Sequence, residues 1–400
     1  MIYTKKKFKV PLVSSTFYEE KKTLNKLSNF VKKTKILSMG KSCLKFEKEF
    51  AKFHKSKFAT LFNSGGSANL AMIQVLKNLG MLKNNDKIGF SAITWSTNVM
   101  PILQLGLRPV PLEINKEYLN VASDEVLKKI NKYKLKAIFI TNILGHCGDM
   151  QKISSICKRK KVILFEDNCE SLGTVTNKKL LGTYGLMSSS SFYVAHHIST
   201  IEGGMVITSD EKVDEQLKLI RANGWDRNLS NIQKKKIRKK NKINNDFEAK
   251  YIFYDLGYNL RPTEITGYLG SLQLKEIRKI IDAREKNFKI FQNILKRKNE
   301  IAKIKVDHIE KLSSFAIPMV FKNIKLKEKF VKIFQKSGIE IRPLIAGNIE
   351  KQPFFKKYVK SKFNLKVTKQ IDDCGFYFGN YPQLKPKQIS IIKKCLSKIN

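Results

Sequence analysis

Two histidines stand side by side at His196–His197, inside a stretch from Leu180 to Glu211 that holds no lysine although the chain is rich in it. Neutral imidazole has an ordinary pKa of about 6.5 and suits proton transfer near neutrality. Taken alone, the pair reads first as packed or surface histidines. Three other segments carry residues of chemical interest. Asn63–Asn69 (NSGGSAN) combines Gly65 and Gly66, which let the backbone turn tightly, with the hydroxyl of Ser67 at a helix start. That is a phosphate cradle, or an ordinary Gly-Ser turn with Ser67 as N-cap. Phe165–Gly173 (FEDNCESLG) ends an apolar strand in acidic residues, where Asp167 can hold a protonated ring nitrogen of a cofactor or simply cap the strand. Ile93–Thr97 (ITWST) presents Trp95, one of two tryptophans, as an indole to stack on a flat ring or to fill a core.

The elements that must position these residues alternate. Strand-like runs at Phe58–Phe62, Lys87–Ser91, Arg108–Leu112, Leu135–Thr141, Val162–Asp167, Ser189–Tyr193 and Met205–Thr208 are interleaved with helical patterns. The helical patterns are Ser67–Leu79, Trp95–Leu105, Val126–Lys132, Lys152–Arg159 and Glu211–Arg221. This alternation predicts an α/β fold, a mostly parallel sheet covered on both faces, with the site at the carboxyl ends of the strands. A long helical stretch follows at about Thr263–Leu295, and a smaller α/β domain is expected over 265–400 after a large domain over 1–264. The densest basic run, Lys234–Lys242 (KKKIRKKNK), reads as a solvated loop.

With 400 residues and 42% hydrophobic content, the chain is long enough for two cores and is globular in composition. The net charge of +43 points to an anionic partner or to a lysine-rich composition throughout. No nucleic-acid motif accompanies it, so no nucleic-acid partner is expected. The basic start lacks the apolar run of a signal peptide, and no run of about 18 apolar residues appears, so no membrane insertion and a cytoplasmic location are expected. Six scattered cysteines form no CxxC or Cys/His cluster, which argues against a metal site or an iron–sulfur cluster.

Together, the segments PLVSSTF, NSGGSAN, ITWSTNVMPILQLGLRPV, ILGHCGDM, FEDNCESLG, SFYVAHHISTIEGG, YDLGYNLRPTEITGYLGSLQL and GNYPQL resemble the DegT/DnrJ/EryC1/StrS family of nucleotide-sugar aminotransferases almost end to end. The resemblance implies the fold type I architecture of pyridoxal 5'-phosphate enzymes, of the aspartate aminotransferase kind. It implies a homodimer with composite sites. It assigns Gly66, Ser67 and Ser191 to the cofactor phosphate, Trp95 to the ring face, Asp167 to the ring nitrogen and Glu170 to the ring's hydroxyl side. Asn259, in GYN, is assigned to a phosphate across the dimer interface, and Arg342, in IRPLIAGN, to a carboxylate or sugar.

One position departs from the family pattern. Aminotransferases of this family carry, before EGG, a lysine that forms a Schiff base with the cofactor. Counting from Phe192 puts His196 there, with His197 next. Imidazole cannot form that bond, which leaves acid–base work at the same carbon. Within the family this substitution marks the 3-dehydratase branch. One arm of that branch holds an iron–sulfur cluster through cysteines after a segment matching Arg221–Ser230, and here that stretch has none. The resemblance therefore implies C3 dehydration of a nucleotide-linked 4-keto-6-deoxyhexose, GDP-linked by preference, in deoxysugar and lipopolysaccharide biosynthesis. L-glutamate would convert the cofactor to pyridoxamine 5'-phosphate, and ammonia would be released. The alternatives are a nucleotide-sugar 4-aminotransferase and a non-catalytic cofactor-binding regulator.

Overall fold

The computed structural model describes residues 8–400; the first seven residues of the basic opening stretch lie outside them. The strands in chain order begin with β1 (Phe58–Phe62), β2 (Lys87–Ser91), β3 (Arg108–Leu112), β4 (Ala137–Thr141) and β5 (Ile163–Asp167). A short hairpin follows, β6 (Val175–Thr176) and β7 (Lys179–Leu180), then β8 (Met187–Ser191) and β9 (Gly204–Thr208). The second half adds β10 (Ile309–Lys311), β11 (Ala316–Val320), β12 (Ile341–Arg342) and β13 (Gly375–Gly379).

Seven strands form the central sheet, in the order β1-β9-β8-β5-β4-β2-β3. All pairs from β8 to β3 are parallel, and β9 alone runs antiparallel to both its neighbours, β1 and β8. The sheet is thus α/β and mostly parallel, as the alternation predicts. Strands such as β4 (AIFIT) are buried at every residue, which is why they are apolar throughout instead of alternating. Register aligns the carboxyl ends: Ser91 lies beside Leu112, Thr141 beside Asp167, and Asp167 beside Ser189.

Helices Gly65–Asn78 and Glu211–Arg221 cover one face with a core of Phe62, Met72, Val206 and Leu217. On the other face, Lys41–His54 packs with Glu264–Leu274 and Ile277–Leu295 around Phe46, Phe50 and Phe192. The approach there is close: a Cβ on Gly267 would sit 2.4 Å from the Cys43 backbone nitrogen. The smaller sheet, β11-β13-β12, is antiparallel. Its core of Phe330, Phe334, Phe376 and Phe378 is continuous with that beneath β4. Val10 bridges Ile339, so the first described residues pack on the second half of the chain. Among the described residues, no helix is long and apolar enough to cross a membrane.

Three local expectations change. The lysine-rich run is not a loop: it forms the helix Asn231–Lys240, started by a Ser230/Gln233 capping box. Ile237 pins it against Leu219 and Leu229, and Arg238 pairs with Asp226 at 2.8 Å. One buried isoleucine among lysines is too sparse a pattern to show a helical period. The stretch Thr263–Leu295 is two helices, parted at Lys275–Glu276. Trp95–Leu105 is a 3-10 turn, Ser96–Asn98, followed by the short helix Met100–Gln104, with Pro101 in the first turn, where its missing N–H costs nothing.

His54 and His146 are buried as neutral imidazoles, each pushed by burial down to about 4. Neither ring nitrogen of His146 has a hydrogen-bond partner among the described residues. Such a group holds its full contribution above the unfolded pKa of 6.5 and loses it as pH falls through the folded value. The loss is up to about 1.4 kcal/mol per pH unit. His146→Leu is therefore expected to reduce the stability difference between pH 7.5 and 5.0 by about 2 kcal/mol, integrating that slope below 6.5. Urea denaturation at the two pH values measures it.

Candidate active site

The carboxyl ends of β1, β2, β4, β5 and β8 open on one cavity of about 400 Å³. Its wall includes Gly66, Trp95, Asp167, Glu170, Ser191 and His196.

Asp167 ends β5 and is buried. Its Oδ2 accepts from Asn69 Nδ2 at 2.9 Å and Asn98 Nδ2 at 2.7 Å, and its Oδ1 from the Cys169 N–H at 2.9 Å. Each asparagine is itself fixed. Asn69 Oδ1 accepts from Ser189 Oγ at 2.6 Å, and Asn98 Oδ1 from Thr94 Oγ1 at 2.9 Å. Thr94 in turn lies 2.7 Å from Thr141 Oγ1. The carboxylate is held by neutral donors, and among the described residues no cation pairs with it. It retains the capacity to accept from a cationic N–H in the cavity.

The phosphate end is the first turn of the helix Gly65–Asn78, whose early N–H groups have no intrahelical partner. Ser64, not Ser67, is the N-cap: its hydroxyl accepts the Ser67 N–H at 3.1 Å. Ser67 Oγ takes a bond from Ser64 Oγ at 2.9 Å; Ser64, Gly65 and Gly66 line the cavity, and Ser67 stands just behind them. Gly65 has no alternative, because a Cβ there would lie 2.5 Å from Ser191 Cβ. On Gly66 it would meet Thr97 Cγ2 at 3.1 Å, in the space of the cradle itself. Trp95 lines the cavity with its indole 57% exposed. A phosphate dipole site, an exposed indole and a buried carboxylate in one cavity fit a flat, phosphorylated, nitrogen-protonated ring.

His196 sits in a turn closed by its own N–H to the Tyr193 carbonyl at 2.9 Å. Its Nδ1 lies 2.5 Å from the Cys169 carbonyl. A carbonyl only accepts, so Nδ1 carries the hydrogen and Nε2 is left with a free lone pair. Burial, and Arg284 more weakly, lower the imidazole below its ordinary value, against the Cys169 carbonyl and Asp167, which raise it. Glu170 accepts the Leu144 N–H at 2.9 Å, and burial pushes its carboxyl up to about 8. Leu144 adopts φ 54°, a left-handed conformation that is costly for leucine, and so aims its N–H at Glu170.

The structure does not bring every expected residue to the cavity. His197 is buried and turned away, with Nε2 3.0 Å from the Ser313 carbonyl. Asn259 is exposed and accepts from Arg261 Nε at 3.0 Å, outside its own chain's cavity. Arg342 is exposed, paired with Glu340 at 2.6 Å, and is not in the cavity wall, which its strand partner Tyr377 lines. Other residues of the site were not singled out in the sequence: Asn69 and Asn98, which hold Asp167 from behind the wall, and Phe315 and Tyr377 in the wall itself. Asn69 and Asn98 lie within or beside the motifs NSGGSAN and ITWST, so their spacing from Gly65 and Thr94 was a usable signal. Phe315, with its ring 5.4 Å from that of His196, and Tyr377 come from the second half with no local motif. No lysine lines the cavity among the described residues.

The family described as DegT/DnrJ/EryC1/StrS aminotransferase matches residues 18–397. GDP-4-keto-6-deoxy-D-mannose 3-dehydratase of Yersinia pseudotuberculosis is 35% identical over 392 residues, 97% of this chain and 98% of that protein. A crystal structure of GDP-4-keto-6-deoxymannose-3-dehydratase with a trapped PLP-glutamate geminal diamine superposes with a TM-score of 0.87 at 33% identity, covering 97% of this chain and 100% of that one. A histidine-to-asparagine variant of that enzyme, with bound GDP-perosamine, gives 0.86 at 32%, with the same coverage.

The Asp167 network is testable without any ligand. A hydrogen bond to a charged group contributes about 1.5–3 kcal/mol, so Asn98→Ala is expected to lower unfolding free energy by about that much. In an Asp167→Asn background the same change is expected to cost about 1 kcal/mol or less, because the acceptor is then neutral. A double-mutant cycle by urea denaturation measures the difference.

Proposed function

Because this chain belongs to the DegT/DnrJ/EryC1/StrS aminotransferase family, we propose that it is a 3-dehydratase of a GDP-linked 4-keto-6-deoxyhexose, GDP-4-keto-6-deoxymannose, that uses pyridoxal phosphate and L-glutamate and releases ammonia. The observation that carries this reading is His196: an imidazole with its tautomer set, in a cavity wall without lysine. A transaminase needs the amine of a lysine at that place, and a regulator needs no free base there. The relatives named above, histidine variant included, carry the dehydratase name over nearly the whole chain.

When bound, the cofactor supplies an electron sink joined to the reacting sugar carbons. The chain's own residues do the rest. Asp167 would hold a protonated ring nitrogen, with Asn69 and Asn98 keeping the carboxylate in place. Gly66, Ser67 and Ser191 would hold the phosphate, Trp95 would meet a ring face, and Glu170 would serve the ring's hydroxyl. His196, with Nε2 unprotonated, would accept a proton from the reacting carbon and give one to the departing C3 hydroxyl, which leaves as water. His197 anchors the turn through Ser313, and Arg342 would meet a carboxylate or the sugar. Asn259 serves the partner's site in a homodimer. Its surroundings support this, because Phe247, Tyr251, Phe253 and Leu256 are exposed apolar residues on the same segment. A cytoplasmic location belongs to the same reading.

The assay is incubation with pyridoxal phosphate, L-glutamate and GDP-4-keto-6-deoxymannose, following ammonia and the 3-deoxy product. An aminated sugar as the product would overturn the proposal. His196→Asn is expected to cut turnover by about 10²–10⁴, the usual contribution of a general acid–base group, with cofactor binding retained by absorbance. The acid limb of the pH–rate profile should lie below 6.5, since the lowered imidazole stays unprotonated, and thus basic, to lower pH before activity falls.

A further inference from the structure

Residues 313–315 touch both members of the histidine pair. His197 Nε2 lies 3.0 Å from the Ser313 carbonyl. The Phe315 ring lies 5.4 Å from that of His196 and 6.2 Å from that of His197. What holds this segment is Arg284, on the helix Ile277–Leu295. Its Nη1 donates to the Phe315 carbonyl at 2.8 Å, to that of Asn380, and weakly to that of Ser314 at 3.5 Å. Asn380 closes the arrangement, donating through Nδ2 to the Arg284 carbonyl at 3.0 Å and the Ser314 carbonyl at 3.1 Å. The guanidinium carbon is 6.0 Å from the Phe315 ring centroid, within cation–π reach. One arginine thus fixes both the backbone and the ring of a residue that packs on His196.

Arg284 is 4% exposed, and these partners are all neutral carbonyls. Arg221, as deeply buried, pairs with Glu47, whereas among the described residues Arg284 pairs with no carboxylate. A buried charge without a counter-ion is costly. Burial pushes Arg284 down to about 9, still protonated at neutral pH. Holding carbonyls requires donors and not a charge, so the retained charge points to a second use. The groups facing His196 are Asp167, Cys169 and Glu170 at and beyond the end of β5, Tyr193 and His197 on its own turn, Glu202, and Tyr377 on β13. Burial lowers both imidazoles most and Arg284 lowers both further, while the Cys169 carbonyl and Asp167 oppose it at His196.

We propose that Arg284 is a positioning residue for His196: it clamps residues 313–315 so that the Phe315 ring seats the imidazole, and its unpaired charge offsets the Asp167 carboxylate at that ring. The use of His196 as a base rests on the dehydratase reading. The titration below needs neither substrate nor cofactor, so the two can fail separately.

Protein isotopically labelled at histidine Cε1 is titrated by NMR, with the His196→Asn protein identifying the His196 signal. The parent midpoint is expected below the ordinary value of about 6.5. Arg284→Gln removes the charge and keeps an amide donor, and is expected to move the midpoint up toward that value. Arg284→Lys keeps the charge on a single ammonium. Its midpoint is expected to stay near the parent's, while kcat falls about tenfold to a hundredfold with KM little changed, because the imidazole is less firmly seated. An Arg284→Gln midpoint equal to the parent's would overturn the proposal, as would an equal rise in both variants. Should Arg284→Gln not fold, the lysine variant decides: a low midpoint with reduced kcat supports the clamp, and an unchanged kcat ends it.

Discussion

The buried carboxylate of Asp167 constrains everything around it. An ionised group taken out of water must have hydrogen bonds supplied by the protein, or it takes up a proton. Here the donors come from three places in the chain: Asn69 on a helix, Asn98 in a turn and the Cys169 N–H just beyond β5. Each can reach only if the strand that delivers it ends at the same height. The parallel register of β2, β4, β5 and β8 achieves this for Asn98 and Cys169, and β1, set through its antiparallel pairing with β9, delivers Asn69; Ser189 and Thr94 then lock the two amides the right way round. The polar network and the sheet are one design: slipping a strand by one residue would turn its donor to the opposite face.

The second half of the chain completes the wall instead of starting it. Phe315, at the edge of β11, packs against the His196 ring and donates its backbone N–H to the Leu144 carbonyl. Leu144, in its left-handed conformation, thus ties Glu170 on one side and the smaller sheet on the other. Local backbone strain at this point joins the two halves at the site, and the hydrogen bonds of this residue's own N–H and carbonyl hold it.

The central sheet was legible in the sequence because its strands are buried on both faces and read as largely apolar runs such as AIFIT and the ILF that opens β5. The antiparallel sense of β9 was not, since GMVIT looks the same in either direction. The candidate site was legible where its parts are local: Gly66, Ser67 and Trp95 follow strands directly, and Asp167 ends one. Tyr377 and Phe315 were invisible because only tertiary packing brings them near. The histidine pair was read as a pair, yet the turn separates its members. One imidazole faces the cavity and the other is spent on Ser313, and adjacency in sequence says nothing about which is which. The helix Asn231–Lys240 was missed because its stability comes from a cap and one isoleucine, not from an apolar stripe.

The backbone of the turn that carries His196 is closed by His196 N–H to Tyr193 and Thr200 N–H to Phe192. Neither of these two bonds depends on which side chain stands at 196, while the imidazole adds its own bond to the Cys169 carbonyl and its packing on Phe315. A change of side chain at 196 therefore keeps the backbone path of the turn and gives up only those two contacts. Diversification among such enzymes is then limited by what the remaining wall does to a new side chain, and not by the cost of building a new site.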